Sequence, residues 1–275
     1  DKDDIESGKT VLNLSALHVE NDRGIAAVSG VDMSIKAGEI VGLAGVSGNG
    51  QKELAESLVG VRGTTAGSIR VTSKDVTNEP CRTFIDNGVS FVPEDRHQNG
   101  CAATLSAMHN AVMKRYRDSA FGERFQLNYE AMEAYAETLV EEFDVRGIND
   151  VQEVTAGELS GGNLQKLILA REMLREPKLL VANQPTRGVD VGAIEFIRER
   201  LLKQRKSGTG ILLISEDLNE IFDLSDRILV IYEGEIVHET TPESADRQRI
   251  SLEMNGGEQA QPLASVAADG GWSDI

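Results

Sequence analysis

Glu39-Ile40-Val41-Gly42-Leu43-Ala44 is a short apolar run, and Gly45-Val46-Ser47-Gly48-Asn49-Gly50 follows it directly. A helical stretch from about Gln51 to Val59 comes next. A strand, a GxxGxG loop and a helix in that order form the layout of a phosphate-binding loop. The glycines let backbone N–H groups approach phosphate oxygens, and the helix N-terminus adds partial positive charge. The same turn can also be purely structural, and the loop alone leaves both readings open. A complete motif carries lysine and then serine or threonine after the last glycine; here stand Gln51, Lys52 and Glu53.

Working outward, strand-like and helix-like segments alternate. Val11–Val19 and Ala27–Ile35 alternate apolar and polar residues, and Ser68–Thr72 and Gly88–Val92 read as strands. Lys178–Ala182, Gly210–Ser215 and Arg227–Tyr232 are apolar runs of strand length, the last turning at Glu233-Gly234 into Glu235–His238. Helical spacing marks Tyr129–Phe143, Leu164–Leu174 and Ala193–Lys206. This alternation predicts an α/β domain with a largely parallel sheet. The domain is expected over residues 11–250, with a core of 11–103 and 159–250 and an inserted helical subdomain at 104–158. Residues 251–275, rich in glycine and polar side chains towards the end, are expected to form a flexible tail.

Composition excludes several classes. The net charge is −17 over 275 residues, which opposes nucleic-acid binding, because that affinity rests on basic patches. No apolar run approaches the roughly 18 residues of a membrane span. The acidic start, Asp1-Lys2-Asp3-Asp4, has no apolar segment behind it and does not resemble a signal peptide. Two cysteines without a CxxC and four scattered histidines offer no disulfide framework or metal-ligand spacing. The acid excess is spread evenly. Selection for solubility in a salty cytoplasm produces that pattern, and an ordinary acidic protein fits it too.

Four further motifs join the loop. Leu159-Ser160-Gly161-Gly162-Asn163-Leu164-Gln165-Lys166 precedes a helix containing Ala170-Arg171-Glu172. Leu179-Leu180-Val181-Ala182-Asn183-Gln184-Pro185-Thr186-Arg187-Gly188-Val189-Asp190 is an apolar strand followed by a polar turn. Phe91-Val92-Pro93-Glu94-Asp95-Arg96 and Leu212-Leu213-Ile214-Ser215-Glu216-Asp217 complete the set. Together these resemble the signature motif, Walker B strand with D-loop, Q-loop region and switch strand of ATP-binding-cassette (ABC) ATPases, in that family's order and spacing. The resemblance runs from about Val11 to His238. It implies a P-loop ABC fold: a RecA-like core, an antiparallel β edge and an inserted helical subdomain. The strings LSGGN, VPEDR and QPTRGVDVGA look like the second cassette of tandem ATPase subunits that energise uptake of sugars or nucleosides. The Gln-Pro-Thr form leans towards the nucleoside branch. The chain is therefore expected to be the C-terminal half of a longer, two-cassette protein.

The departures from the family pattern imply a degenerate site. Gln51 stands where a lysine clamps phosphate, and Lys52 where a hydroxyl binds magnesium. Asn183 stands at the Walker B aspartate, Gln184 at the glutamate that polarises water, and Glu216 at the switch histidine. Phosphoryl transfer depends on positioning and charge neutralisation, so little chemistry is expected here. Gly45, Gly48, Asn49, Gly50, Gln51, Lys52 and Glu94 remain the candidate nucleotide contacts. Lys52 could stand in for the metal beside a phosphate, or pair with a nearby acid and leave the loop empty. No aromatic residue lies between Val19 and Leu43, where such cassettes often stack adenine.

The signature loop, by contrast, is complete. In this family two cassettes face each other head to tail, each ATP lying between one P-loop and the opposite signature loop. Leu159, Ser160, Gly161, Gly162 and Asn163 would then serve ATP, with its magnesium, on a partner cassette, with Asp190 in the D-loop beside them. The resemblance also implies permease subunits docked on residues 94–110, indirect dependence on an external solute-binding protein, and a place on the cytoplasmic face of the membrane. A soluble regulatory or scaffolding cassette is the competing reading.

Overall fold

The computed structural model describes residues 8–123 and 126–257. In chain order, β1 (Thr10–Glu20), β2 (Ala26–Lys36) and β3 (Ile40–Ala44) lead into α1 (Gln51–Ser57). Then come β4 (Ala66–Val71), β5 (Lys74–Asp75), α2 (Cys81–Asp86), β6 (Val89–Val92) and α3 (Ala107–Val112). A small hairpin, β7 (Gly122–Glu123) and β8 (Gln126–Leu127), precedes α4 (Tyr129–Glu142) and α5 (Gly161–Met173). The chain continues through β9 (Leu179–Asn183), α6 (Val191–Lys206), β10 (Gly210–Ser215) and α7 (Leu218–Leu224). It closes with β11 (Arg227–Tyr232), β12 (Glu235–Thr240) and α8 (Arg247–Met254).

Two larger sheets result. One has the order β12-β11-β3-β10-β9-β6, and the other β2-β1-β4-β5. In the first, β11, β3, β10, β9 and β6 are parallel and only β12 runs antiparallel. The second is antiparallel throughout.

The sheet's two faces bury different cores. Along β9, Leu180 and Ala182 pack with the helices α3, α4 and α5, while Leu179 and Val181 face the antiparallel sheet and α1. In β10, Ile211 and Leu213 go one way, Leu212 and Ile214 the other. Side chains alternate across a strand, so a sheet covered on both faces needs an unbroken apolar run. That is why these strands read as continuous hydrophobic blocks in the sequence.

Helix starts are set by side-chain caps. Ser160, Asp190, Asp217 and Asp246 each accept a hydrogen bond from a backbone N–H in the first turn of α5, α6, α7 and α8. These caps place α5 and α6 two to three residues earlier than the apolar spacing predicts. The expected tail start at 251 also needs correction. Helix α8 runs through Met254, with Ile250 and Met254 buried against the first core, because its apolar side chains complete that cluster. Residues 258–275 of the expected tail lie outside the described residues.

Candidate functional site

The glycine loop hangs between β3, buried along its whole length, and α1. Gly50 caps α1 with φ +97°, and a Cβ there would lie 2.0 Å from Ala27 O, so only glycine fits. Gly48 has φ +93° and open space where a Cβ would be. Gly45 packs under Ile231, a Cβ there lying 2.8 Å from its Cγ2. Asn49 ties the loop down: its Oδ1 accepts from Glu233 N at 3.0 Å, and its Nδ2 donates to Met254 O at 3.4 Å. The loop is thus held by the β11–β12 turn and by the end of α8, neither of which the sequence reading connected to it.

The side chains at this loop divide, with Asn49 buried and Ser47 and Lys52 exposed. Gln51 is buried and its Nε2 donates to Val46 O at 2.9 Å, so a neutral amide spans the loop from within. Lys52 Nζ lies 3.8 Å from Glu56 Oε1, one turn along α1, as an i,i+4 pair at the surface. Glu216, at the end of β10, accepts a hydrogen bond from the Ser47 hydroxyl in the middle of the loop. Its backbone N–H points to Gln184 Oε1 at 3.4 Å. Gln184 has a left-handed backbone, φ +51°, and donates its N–H to Ile214 O at 2.8 Å. Asn183 is buried at the end of β9. Gln51, Gln184 and Glu216 therefore gather with the loop, and the one carboxylate among them points at it.

The signature loop forms a second cluster. Ser160 Oγ accepts from the backbone N–H of Asn163 at 3.5 Å and from its Nδ2 at 2.9 Å. Asn163 Oδ1 accepts in turn from Arg146 N at 2.8 Å. A hydroxyl has one proton and two lone pairs, so Ser160 keeps its O–H free to donate outward. Side chains at Gly161 and Gly162 would crowd their neighbours. A Cβ at Gly161 would come 3.1 Å from Arg96 Nη2, and one at Gly162 3.0 Å from Asp190 Oδ2. Asp190 caps α6 through Ala193 N at 2.9 Å. Beside them lies a polar cavity of about 320 Å³, lined by Arg146, Lys166 and Asp144 as well as Asn163 and Asp190. Lys166 closes the signature string itself, whereas Asp144 and Arg146 sit in a stretch that carries no motif, and only the fold brings those two to the signature loop.

Glu94 pairs with Arg187, so it joins the two strand ends instead of standing free. With Lys52, Asp95, Gln98 and Asn183 it lines a cleft of about 500 Å³ whose apolar floor includes Phe84 and Val89. Behind the cleft sits a buried charge cluster. Glu172 Oε2 lies 2.8 Å from Lys114 Nζ and 3.2 Å from Phe91 N, and Oε1 lies 2.9 Å from Arg171 Nε. Burial alone would raise the Glu172 carboxyl. The Lys114 and Arg171 cations outweigh it and hold the group down to about 2. Burial lowers the Lys114 ammonium from its ordinary value. Glu220 is the opposite case: it is fully buried, and burial outweighs the Ser215 and Thr186 hydroxyls near its carboxyl and pushes the group up.

Comparison with known proteins places this geometry. A family model described as ABC transporter matches residues 28–187. The glucose import ATP-binding protein TsgD13 of Haloferax volcanii is 60% identical over 270 residues, which is 98% of this chain and 49% of that protein. The nucleoside import ATP-binding protein NupA of Lactococcus lactis subsp. cremoris is 42% identical over 90% of this chain and 48% of its own. The guanosine import ATP-binding protein NupO of Bacillus subtilis is 41% identical over 93% and 50%. The chain spans about half the length of the curated relatives it matches. Among solved structures, the ADP conformation of the ATP-binding cassette MJ1267 aligns with a TM-score of 0.70 at 19% identity, over 91% of this chain and 96% of that one. The dimeric cassette MJ0796 bound to ADP and Pi aligns at 0.71 and 22% identity, over 84% and 98%. At those identities the structures establish the fold, the ABC cassette with its mixed sheets and inserted helices. Since the family model covers more than half of the chain, the protein belongs to the ABC transporter family.

Proposed function

We propose that this chain is the degenerate cassette of an importer ATPase, lending its signature loop to ATP bound by a partner cassette. The contrast between its two clusters carries the reading. The Ser160 hydroxyl is oriented with its proton free, at the capped start of α5, where a γ-phosphate from outside could accept it. The P-loop instead has a neutral Gln51 tied to its own backbone and the Glu216 carboxylate on Ser47. These residues do not fit magnesium nucleotide: a cation, a metal ligand and a water-orienting carboxylate are each replaced by a group unsuited to the role. No reaction step is therefore placed at this loop. At the partner's composite site the nucleotide with its magnesium supplies the reactive phosphoryl group. Ser160 would hold and orient the terminal phosphate there, and Gly161 and Gly162 would let the backbone approach it.

The imported solute would be a sugar or a nucleoside. The relative at 60% identity carries glucose in its name and two at 41–42% carry nucleosides. This balance moves the weight from the nucleoside branch, favoured by Gln-Pro-Thr, towards sugars. A second cassette in head-to-tail contact, permease subunits seated at the cleft beside Glu94 and an external solute-binding protein complete the assembly, at the cytoplasmic face of the membrane. No helix among the described residues is long and apolar enough to cross a membrane. Phosphate release by the purified chain tests the degenerate site, and turnover above roughly 1 per second, the usual enzyme range, refutes it. Co-purification with a permease separates this reading from a soluble scaffolding cassette.

A further inference from the structure

Arg96 occupies a junction that the reading above leaves unused. Its Nη1 donates to Arg187 O at 2.7 Å and its Nη2 to Gly188 O at 2.9 Å, a fork across two consecutive carbonyls of the D-loop. Glu94, two residues earlier, holds the Arg187 side chain, so segments 94–96 and 187–188 grip each other twice. The same guanidinium lies directly behind the signature loop, 3.1 Å from where a Gly161 Cβ would be. Its Nε is buried and has no hydrogen-bond partner among the described residues.

The chain around Arg96 has little slack. Asp95 Oδ1 accepts from His97 N at 3.0 Å and from Gln98 N at 2.9 Å, a tight turn that also lines the cleft. On the other side, the D-loop runs from Gly188, with φ +65°, to Asp190, whose carboxylate abuts Gly162. A shift of the cleft wall at 95–98 must therefore move the fork, and with it the D-loop and the glycines of the signature loop.

We propose that Arg96 is a positioning residue that couples the cleft to the signature loop, setting the place at which Ser160 meets the partner's nucleotide. The planar guanidinium suits this role because it holds two carbonyls in fixed relative geometry. An ammonium keeps the charge but acts as a single point. The inference rests on the composite-site reading above.

The test uses the complete importer, with permease, both cassettes and solute-binding protein, carrying Arg96→Ala or Arg96→Lys. Solute-stimulated ATP hydrolysis is measured together with amide hydrogen exchange over residues 187–190. Both variants are expected to lower stimulated kcat at least tenfold while KM for ATP stays within twofold, with exchange in 187–190 at least tenfold faster. Lysine is not expected to rescue. Stimulated kcat within twofold of the parent, unchanged exchange in 187–190, or full rescue by lysine would each overturn the proposal. So would a matching rise in exchange throughout the fold, which marks general destabilisation. Ser160→Arg in the same assembly separates the two readings. If it leaves hydrolysis intact, the composite-site reading fails. If it abolishes hydrolysis while Arg96→Ala does not impair it, only the coupling role fails.

Discussion

Removing the charge of Glu216 should convert the glycine loop into a better anion site. The carboxylate already accepts the Ser47 hydroxyl, so a phosphate cradled by the same loop would lie roughly 4 Å from it. Two unit charges at that separation repel by about 4 kcal/mol at an effective dielectric of ~20. Glu216 is exposed, so solvent screening reduces this to about 2 kcal/mol, equivalent to roughly 30-fold in affinity. Glu216→Gln keeps the size and an acceptor for Ser47 while deleting the charge. Calorimetric titration with ATP, in chelator and in magnesium, is expected to show tightening of that order at low salt. At ~1 M salt the screening length falls to ~3 Å, and the gain should shrink to less than about threefold. Chelator should change little, because neither Asn183 nor Lys52 supplies an anionic metal ligand. A change below twofold at low salt, or a gain indifferent to salt, would falsify the electrostatic account of this loop.

Four other outcomes are expected. In the assembled importer, Ser160→Arg should abolish most ATP hydrolysis and Gln51→Ala should reduce it far less; equal losses would mean that the two nucleotide sites are not asymmetric. Glu172→Ala strands Lys114 and Arg171 in the interior and should cost about 3–5 kcal/mol, visible as a fall in Tm of roughly ten degrees. A loss below about 1 kcal/mol would reject the cluster as a structural element. Because the folded Glu172 carboxyl sits near 2, below its unfolded value, its contribution is complete above about pH 4.5 and disappears as pH falls towards 2. Glu220 has the opposite sign: a raised folded pKa costs stability as pH climbs from its unfolded value, so Glu220→Gln should raise Tm at neutral pH and have a smaller effect in acid. With a net charge of −17, self-repulsion should be relieved by salt, and Tm should rise from low to molar potassium chloride; a flat profile would favour an ordinary acidic protein.

Much of the fold was legible because its signals are local. Apolar runs such as Leu179–Ala182 and Gly210–Ser215 record strands buried on both faces, and the spacing of Gly45, Gly48 and Gly50 records a turn that only glycine can make. The signature string ahead of a helix identified a capped start, and Ser160 caps it. The short helices α2, α3 and α7 were missed. Six or seven residues hold too few turns for a period to emerge, and such helices exist only because tertiary packing supports them. The motif substitutions at Gln51, Asn183, Gln184 and Glu216 were readable one by one, but their consequence was not. Glu216 reaches Ser47 across 169 residues of sequence, and Arg96 reaches Arg187 across 91. Neither pairing leaves a trace in local composition, because strand order in the parallel sheet sets which loops meet. β3 lies beside β10, and β9 beside β6, so the glycine loop meets Glu216 and the D-loop meets Arg96. The sequence thus determined which residues stand at each motif position. The tertiary structure decided which groups face each other, since contacts at that separation form only once the sheet has brought its strand ends together.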